Sequence, residues 1–301
     1  METKVVSVQT QNNLSVVQFI SSNIDTFDYL SLGRAASEKL LELREVGDGG
    51  SVNDVYVINR SDKFIFIMDG DIIEGAQQNR VINASVLLAP MSKTKVQVSC
   101  VEQGRWNKIS DSFMPSDYTA PSMMRMRKNM DVHSNLRSNK SHYADQGKVW
   151  DIVSENLNHL NVASETSNLS DAMNEKREEY RIFSDEFKCD ESVNGLALFN
   201  DNKFIGMDLF NSSKVYQDYF HKILKGAAME FSHSMKSDKK IDESEIKYKT
   251  LDIMDKIEAI ETKTFKGVGI GTDERFEAEK LTGFQLVYEN KLIHLAAMNM
   301  E

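Results

Sequence analysis

Cysteine, proline and tryptophan are scarce in this chain, with 2, 3 and 2 residues respectively in 301. Cys100 and Cys189 are too few for a disulfide framework, and neither a C-x-x-C pair nor a Cys/His spacing suited to zinc occurs, which fits a reducing compartment. No apolar run approaches the ~18 residues that cross a bilayer. The start METKVVSVQT has no cationic end followed by an apolar segment, so the expectation is a cytoplasmic protein with no membrane contact. Basic charge is also short. The 36 Lys and Arg stand against 46 Asp and Glu, a net charge of −10, which argues against general nucleic-acid binding. What is present is the composition of a folded protein, 41% hydrophobic and 27% charged, with chain enough for one large or two medium domains.

Leu14 to Ile20 (LSVVQFI) reads as a buried strand, and Leu32, Ala36, Leu40 and Leu43 recur at helical spacing, predicting a helix that stops near Gly47 to Gly50. Val55 to Ile58 and Phe64 to Met68 read as a hairpin about NRSD. Val81 to Ala89 and Val96 to Val101 are two more strands, separated at Pro90. From about Asn107 to Gly147 the apolar periodicity disappears, which predicts a long loop. Helices return with Val149, Val153, Leu157 and Leu160, and with Leu169, Met173, Tyr180, Phe183 and Phe187. A hairpin over Leu196 to Phe199 and Phe204 to Leu209 leads to a helix from Ser213 to Met235 and an exposed linker at Ser237 to Glu245. A short helix, Leu251 to Ile260, precedes strands at Thr264 to Ile270, Gly283 to Tyr288 and Leu292 to Ala297.

This order argues for an α+β fold of mostly antiparallel sheets with packed helices and a long central loop. The chain reads as one unit with subdomain boundaries giving 1–106, 107–147 and 148–301. The string KFI at Lys63 to Ile65 and again at Lys203 to Ile205 is open to duplication or to convergence of short turns.

Generic folding needs explain least between Gly70 and Trp106. EGAQQNR places Glu74, Gln78, Asn79 and Arg80 at the entrance to one strand, and CVEQGRW places Glu102, Arg105 and Trp106 at the exit of another. If the strands pair antiparallel, the open end of the hairpin brings both clusters together. Two guanidinium forks, amides, an indole face and two carboxylates suit a phosphorylated, nucleotide-like anion. Arg80 and Arg105 then take phosphates, Trp106 stacks, Gln78 and Asn79 read polar edges, and Glu74 or Glu102 is the general acid or base if the protein is an enzyme. The same residues equally make an internal network that only closes strand ends.

Other candidates carry less. Cys100, at the end of VQVSCV, reads as a small buried residue more than as a nucleophile. Asp69, Asp71 and Glu74 lack the rest of a calcium loop, so no metal site is assigned. Gly267 to Gly271 (GVGIG) is followed by TDERF and not by a helix, which favours a bulge or a close backbone approach over a dinucleotide loop. Arg275 and His294 complete a polar site if the C-terminal sheet packs near the first, and a surface or hydrogen-bonded core role is favoured over this for each. Ser122 to His142 holds Arg125, Arg127, Lys128, Arg137 and Lys140 against Asp131, an excess of four cations suited to closing over an anion or docking a protein partner or second copy.

At GDIIEGAQQNR and SCVEQGRW the chain resembles the ARG and rhodanese-phosphatase superfamily associated protein family, ARPP-1. Val149–Trp150, IGMDLF, GIGTDERF and LIHLAA extend the likeness along most of the chain. The resemblance implies a place in NAD or ADP-ribose related metabolism and assigns no reaction or cofactor. An enzyme of this kind would be a hydrolase or transferase on an ADP-ribose- or nucleotide-like substrate. The alternative is a non-catalytic interaction or assembly protein whose polar motifs are structural.

Overall fold

The structure, a computed structural model, describes residues 1–47, 49–138, 141–231 and 242–301. In chain order the elements open with β1 (Thr3–Gln11), β2 (Leu14–Ser21), β3 (Leu30–Ser31), α1 (Leu32–Ser37), β4 (Leu41–Glu45), β5 (Asp54–Asn59), β6 (Ile65–Ile67) and β7 (Asp71–Gly75). There follow β8 (Arg80–Ile82), β9 (Val86–Leu88), β10 (Lys93–Cys100), β11 (Phe113–Thr119), α2 (Ser122–Arg137), α3 (Gln146–His159), α4 (Leu169–Glu175) and α5 (Arg177–Asp185). The last are β12 (Gly195–Asn200), β13 (Lys203–Phe210), α6 (Ser213–Phe231), α7 (Glu243–Ala259), β14 (Lys263–Lys266), β15 (Thr272–Ala278), β16 (Leu281–Tyr288) and β17 (Lys291–Asn299). The fold is α+β with mostly antiparallel strands. No described helix is long and apolar enough to cross a membrane.

The elements form two compact units, both discontinuous in sequence. The first comprises Met1–Asp28, Ile182–Lys266 and Gly271–Glu301; the second comprises Tyr29–Arg181 and Gly267–Ile270. This division runs at other places than 106/107 and 147/148. Residues 237–241 of the expected linker lie outside the described residues, and Asp242 to Glu245 form the cap and first turn of α7.

The first unit is an antiparallel eight-stranded sheet in the order β1-β2-β12-β13-β17-β16-β15-β14. Strand side chains alternate between faces. Leu209 packs with Ile246, Ile253, Met254 and Ile257 of α7, whereas its neighbour Phe210 stacks on Tyr219 of α6 at 5.5 Å, so a helix covers each face. Burial on both faces explains why β2 carries apolar residues on both faces, Leu14 and Val16 on one and Val17 and Phe19 on the other. Arg275 and His294 sit here, fully buried, each bound to a carboxylate: Arg275 Nε donates to Asp273 at 2.8 Å and His294 Nε2 lies 3.2 Å from Asp208.

The second unit holds a closed six-stranded barrel, β10-β5-β4-β11-β7-β8, and a small sheet, β3-β6-β9. Its core joins Leu43, Val55, Val57, Ile73, Ile82, Val96, Val98 and Phe113 with Leu32 and Ala35 of α1. Several expectations are corrected in this unit. The helix expected over 32–43 ends at Ser37, because Lys39 takes φ of 57° and turns Leu41 and Leu43 into β4. The strings 55–58 and 64–68 are not a hairpin, since β5 belongs to the barrel and β6 pairs with β3 and β9. Val81 to Ala89 is likewise split between the barrel and the small sheet.

The segment 107–147 is not a long loop but carries β11 and α2. Its helix hides from apolar periodicity because its inward face includes Arg125, Lys128, Asn129 and His133 beside Met124, Val132 and Leu136. The glycines of GVGIG permit a close backbone approach: Ile270 N donates to Leu87 O at 2.9 Å, and a Cβ on Gly269 would collide with the same carbonyl.

Candidate functional site

β8 and β10 pair antiparallel with Arg80 opposite Cys100, so the two polar motifs meet at one end of the barrel. Glu102 is the hub. Its Oε1 accepts from Arg105 Nε at 2.8 Å and Thr166 Oγ1 at 3.1 Å, and its Oε2 accepts from Arg105 Nη2 at 2.6 Å and the Asn79 amide at 3.1 Å. Arg105 also donates to the carbonyls of Ala76 (2.8 Å) and Asn107 (2.9 Å). Gly75 and Ala76 both adopt positive φ, and this turn presents the Ala76 carbonyl to the guanidinium. Arg105 is thus ringed by protein acceptors and retains little exposure, 12% of its side chain.

The remaining motif residues join the same network. Asn79 Oδ1 accepts from the Gly75 amide at 2.9 Å, and its Nδ2 donates to Ser170 Oγ at 3.1 Å. Glu74 accepts from Ser170 Oγ at 2.6 Å and Tyr118 Oη at 2.7 Å. Burial, then the Glu74 charge, holds the Tyr118 hydroxyl well above the ordinary phenol range. Gln78 Nε2 donates to Glu102 O at 2.9 Å, and its Oε1 accepts from Arg80 Nη1 at 2.9 Å.

Arg80 is fully buried and far less well bonded than Arg105. Its Nη2 reaches Ser51 O at 3.4 Å and stands 3.9 Å from Glu45 Oε1, while its Nε has no hydrogen-bond partner among the described residues. Its guanidinium carbon lies 5.6 Å from the Trp106 ring, and that ring is half exposed. Burial pushes the Arg80 pKa below the ordinary arginine value, opposed by the neighbouring Cys100 and Glu45. Burial also pushes the Cys100 thiol up, opposed by the Glu102 amide, which donates to its Sγ at 3.3 Å, and by the Arg80 charge.

Glu45 links this network to an open polar pocket of about 370 Å³, lined by Arg44, Glu45, Tyr56, Gln77, Lys93 and Lys108 together with Gly47, Ile58 and Asp111. Lys93 Nζ sits 3.8 Å from the Tyr56 ring centre, and Lys108 pairs with Asp111 at 2.6 Å. Glu45 Oε1 accepts from the Gln77 amide at 3.1 Å; its Oε2 has no hydrogen-bond partner among the described residues.

The family model for the ARG and Rhodanese-Phosphatase-superfamily-associated Protein domain matches residues 2–298, nearly the whole chain and both motifs. The chain belongs to this family, ARPP-1. No characterised protein and no solved structure shows a significant match to it. All seven motif residues singled out from the sequence of this ARPP-1 chain, Glu74, Gln78, Asn79, Arg80, Glu102, Arg105 and Trp106, come together. Arg275 and His294 belong to the other unit. Sequence reading missed Glu45, Ser51, Tyr118, Thr166, Asn168 and Ser170. Of these only Asn168 carries a local signal: its side chain caps α4 by accepting from the Ser170 amide at 3.0 Å, the pattern expected of Asn before an apolar helix start.

The cationic segment Ser122 to His142 is turned partly inward. Arg125 pairs with buried Asp69 at 2.8 Å, and Lys128 donates to the carbonyls of Ile82 (2.8 Å) and Asn83 (3.0 Å). Arg137 is exposed, and Lys140 lies outside the described residues. Among the described residues no group of three His, Cys, Asp or Glu is placed to hold a metal ion.

Proposed function

We propose that the protein binds a small phosphorylated, nucleotide-like anion at the polar pocket of its second unit, in the setting of NAD or ADP-ribose metabolism. The observation that carries this reading is the convergence of Arg44, Lys93 and Lys108 on one pocket whose wall includes Gln77 of the first motif and Glu45 beside Arg80. In this reading the three outer cations attract the ligand, Arg80 meets a phosphate, and the half-exposed Trp106 ring offers a face to a base. Gln78, Asn79 and Arg105 are the frame that holds them. Glu74 and Glu102, the candidate acid and base, accept hydrogen bonds from two and four protein donors, which supports binding without turnover.

The same saturated network supports the second reading, an assembly protein in which the motifs only lock the barrel and α2 docks a partner. Titration calorimetry and thermal unfolding with ADP-ribose, AMP, NAD and pyrophosphate separate the two. Binding to the folded state alone at a hundredfold excess over Kd stabilises by about 2.7 kcal/mol. We expect such a shift, and its loss in Lys93→Ala and Arg44→Ala. If none of the four ligands binds, the ligand reading falls and the assembly reading takes its place.

A further inference from the structure

The two motif arginines differ in a way that a purely structural network does not need. Arg105 has its carboxylate at 2.6 and 2.8 Å; Arg80, with no exposed surface at all, has Glu45 at 3.9 Å, beyond hydrogen-bond reach. A buried cation normally takes a close, forked anion. Here a donor, Arg80 Nε, and an acceptor, Glu45 Oε2, both lack hydrogen-bond partners among the described residues, on either side of one long ion pair. Glu45 is held on its other oxygen by the Gln77 amide and is one wall of the pocket. Gly50 lies against the same pair of side chains: a Cβ on it would stand 3.3 Å from both Glu45 Oε2 and Gln77 Cγ.

Building on the binding reading above, we propose that Glu45 is an internal stand-in for the ligand: a weakly paired carboxylate that keeps Arg80 neutralised and is displaced when a phosphoryl group enters the pocket. A phosphate offers two oxygens to the Nε and Nη2 edge of a guanidinium at once, which Glu45 does not. Glu45 therefore sets affinity by competition and selects against weaker anions such as single carboxylates.

The test is calorimetric titration of wild type, E45Q, and E45Q combined with R80K, using pyrophosphate and ADP-ribose as probes. E45Q keeps an oxygen for the Gln77 amide and removes the competing charge, so both probes should bind about tenfold tighter, corresponding to about 1.4 kcal/mol. R80K keeps the charge, removes the fork and should abolish the gain. Wild-type binding that E45Q leaves equal or weaker overturns the displacement while the binding reading stands. Binding in E45Q alone overturns both for the native protein, since Glu45 then blocks the site and is not displaced. No binding in either overturns both. Hydrogen exchange at the Gln77 amide of wild type needs no variant: pyrophosphate should accelerate it as Glu45 leaves, and unchanged exchange in the presence of bound probe counts against displacement.

Discussion

Glu102→Gln tests whether the hub of the network holds the barrel end together. The carboxylate accepts four hydrogen bonds, two on each oxygen, and each oxygen faces one Arg105 nitrogen. A glutamine keeps one acceptor. Its amide group must face either Arg105 Nε and Thr166 or Arg105 Nη2 and the Asn79 amide, setting donor against donor. The Arg105 side chain is only 12% exposed, so it loses its counter-charge where water does little to replace it. Removing one partner of such a pair costs about 3–5 kcal/mol. Total stability is of order 5–15 kcal/mol, so unfolding of the second unit should come roughly 10 °C earlier. Urea and thermal unfolding followed by circular dichroism give the loss. Adding Arg105→Met should cost less than the sum of the single changes, with a coupling of about 1–3 kcal/mol. A loss under about 1 kcal/mol with no coupling refutes the structural role and returns Glu102 to the list of catalytic candidates.

Gly70→Ala should destabilise by about 1–3 kcal/mol in the same unfolding assay, because Gly70 has φ of 83° and a Cβ there would meet Arg125 Cγ at 2.8 Å, displacing the Arg125–Asp69 pair. Native protein at pH 8 should react with iodoacetamide far more slowly than protein in urea. Burial, then Asp190, pushes the Cys189 thiol up to about 12, and burial pushes Cys100 up as well. Both folded pKa values exceed the unfolded thiol value, so each contribution to stability is complete below the unfolded thiol range, about pH 8.5, and is lost as pH rises through the folded value, about 12 for Cys189. A denaturant midpoint that stays flat from pH 8.5 to 11 would contradict this.

Where the sequence carries the fold openly, the physical signal is local. β2, β12 and β13 show as apolar runs, and the meeting of EGAQQNR with CVEQGRW follows from one antiparallel pairing, Arg80 opposite Cys100. The signal fails at α2, whose buried face carries Arg125, Lys128 and His133, because a helix that solvates its charges inside the protein has no hydrophobic period to read. It fails at β1 for the opposite reason: as an edge strand it exposes Lys4 and Val6 and buries little. The partners that decide the character of the site, Glu45, Ser51, Thr166 and Ser170, come from 29 to 91 residues away along the chain, and no spacing rule reaches them.

The discontinuity of the first unit has a consequence during synthesis. β2 is an inner strand with apolar side chains on both faces, and its register to β12 is set by Phe19 against Gly195, where a Cβ on the glycine would strike the phenyl ring. Gly195 is made roughly 175 residues after Phe19, which at ordinary translation rates is a delay of about 10–35 s. For that interval the nascent β1–β2 hairpin is a sticky, half-paired ribbon while residues 29–181 of the second unit are made behind it, so chaperone contact on the ribosome should concentrate on residues 14–21.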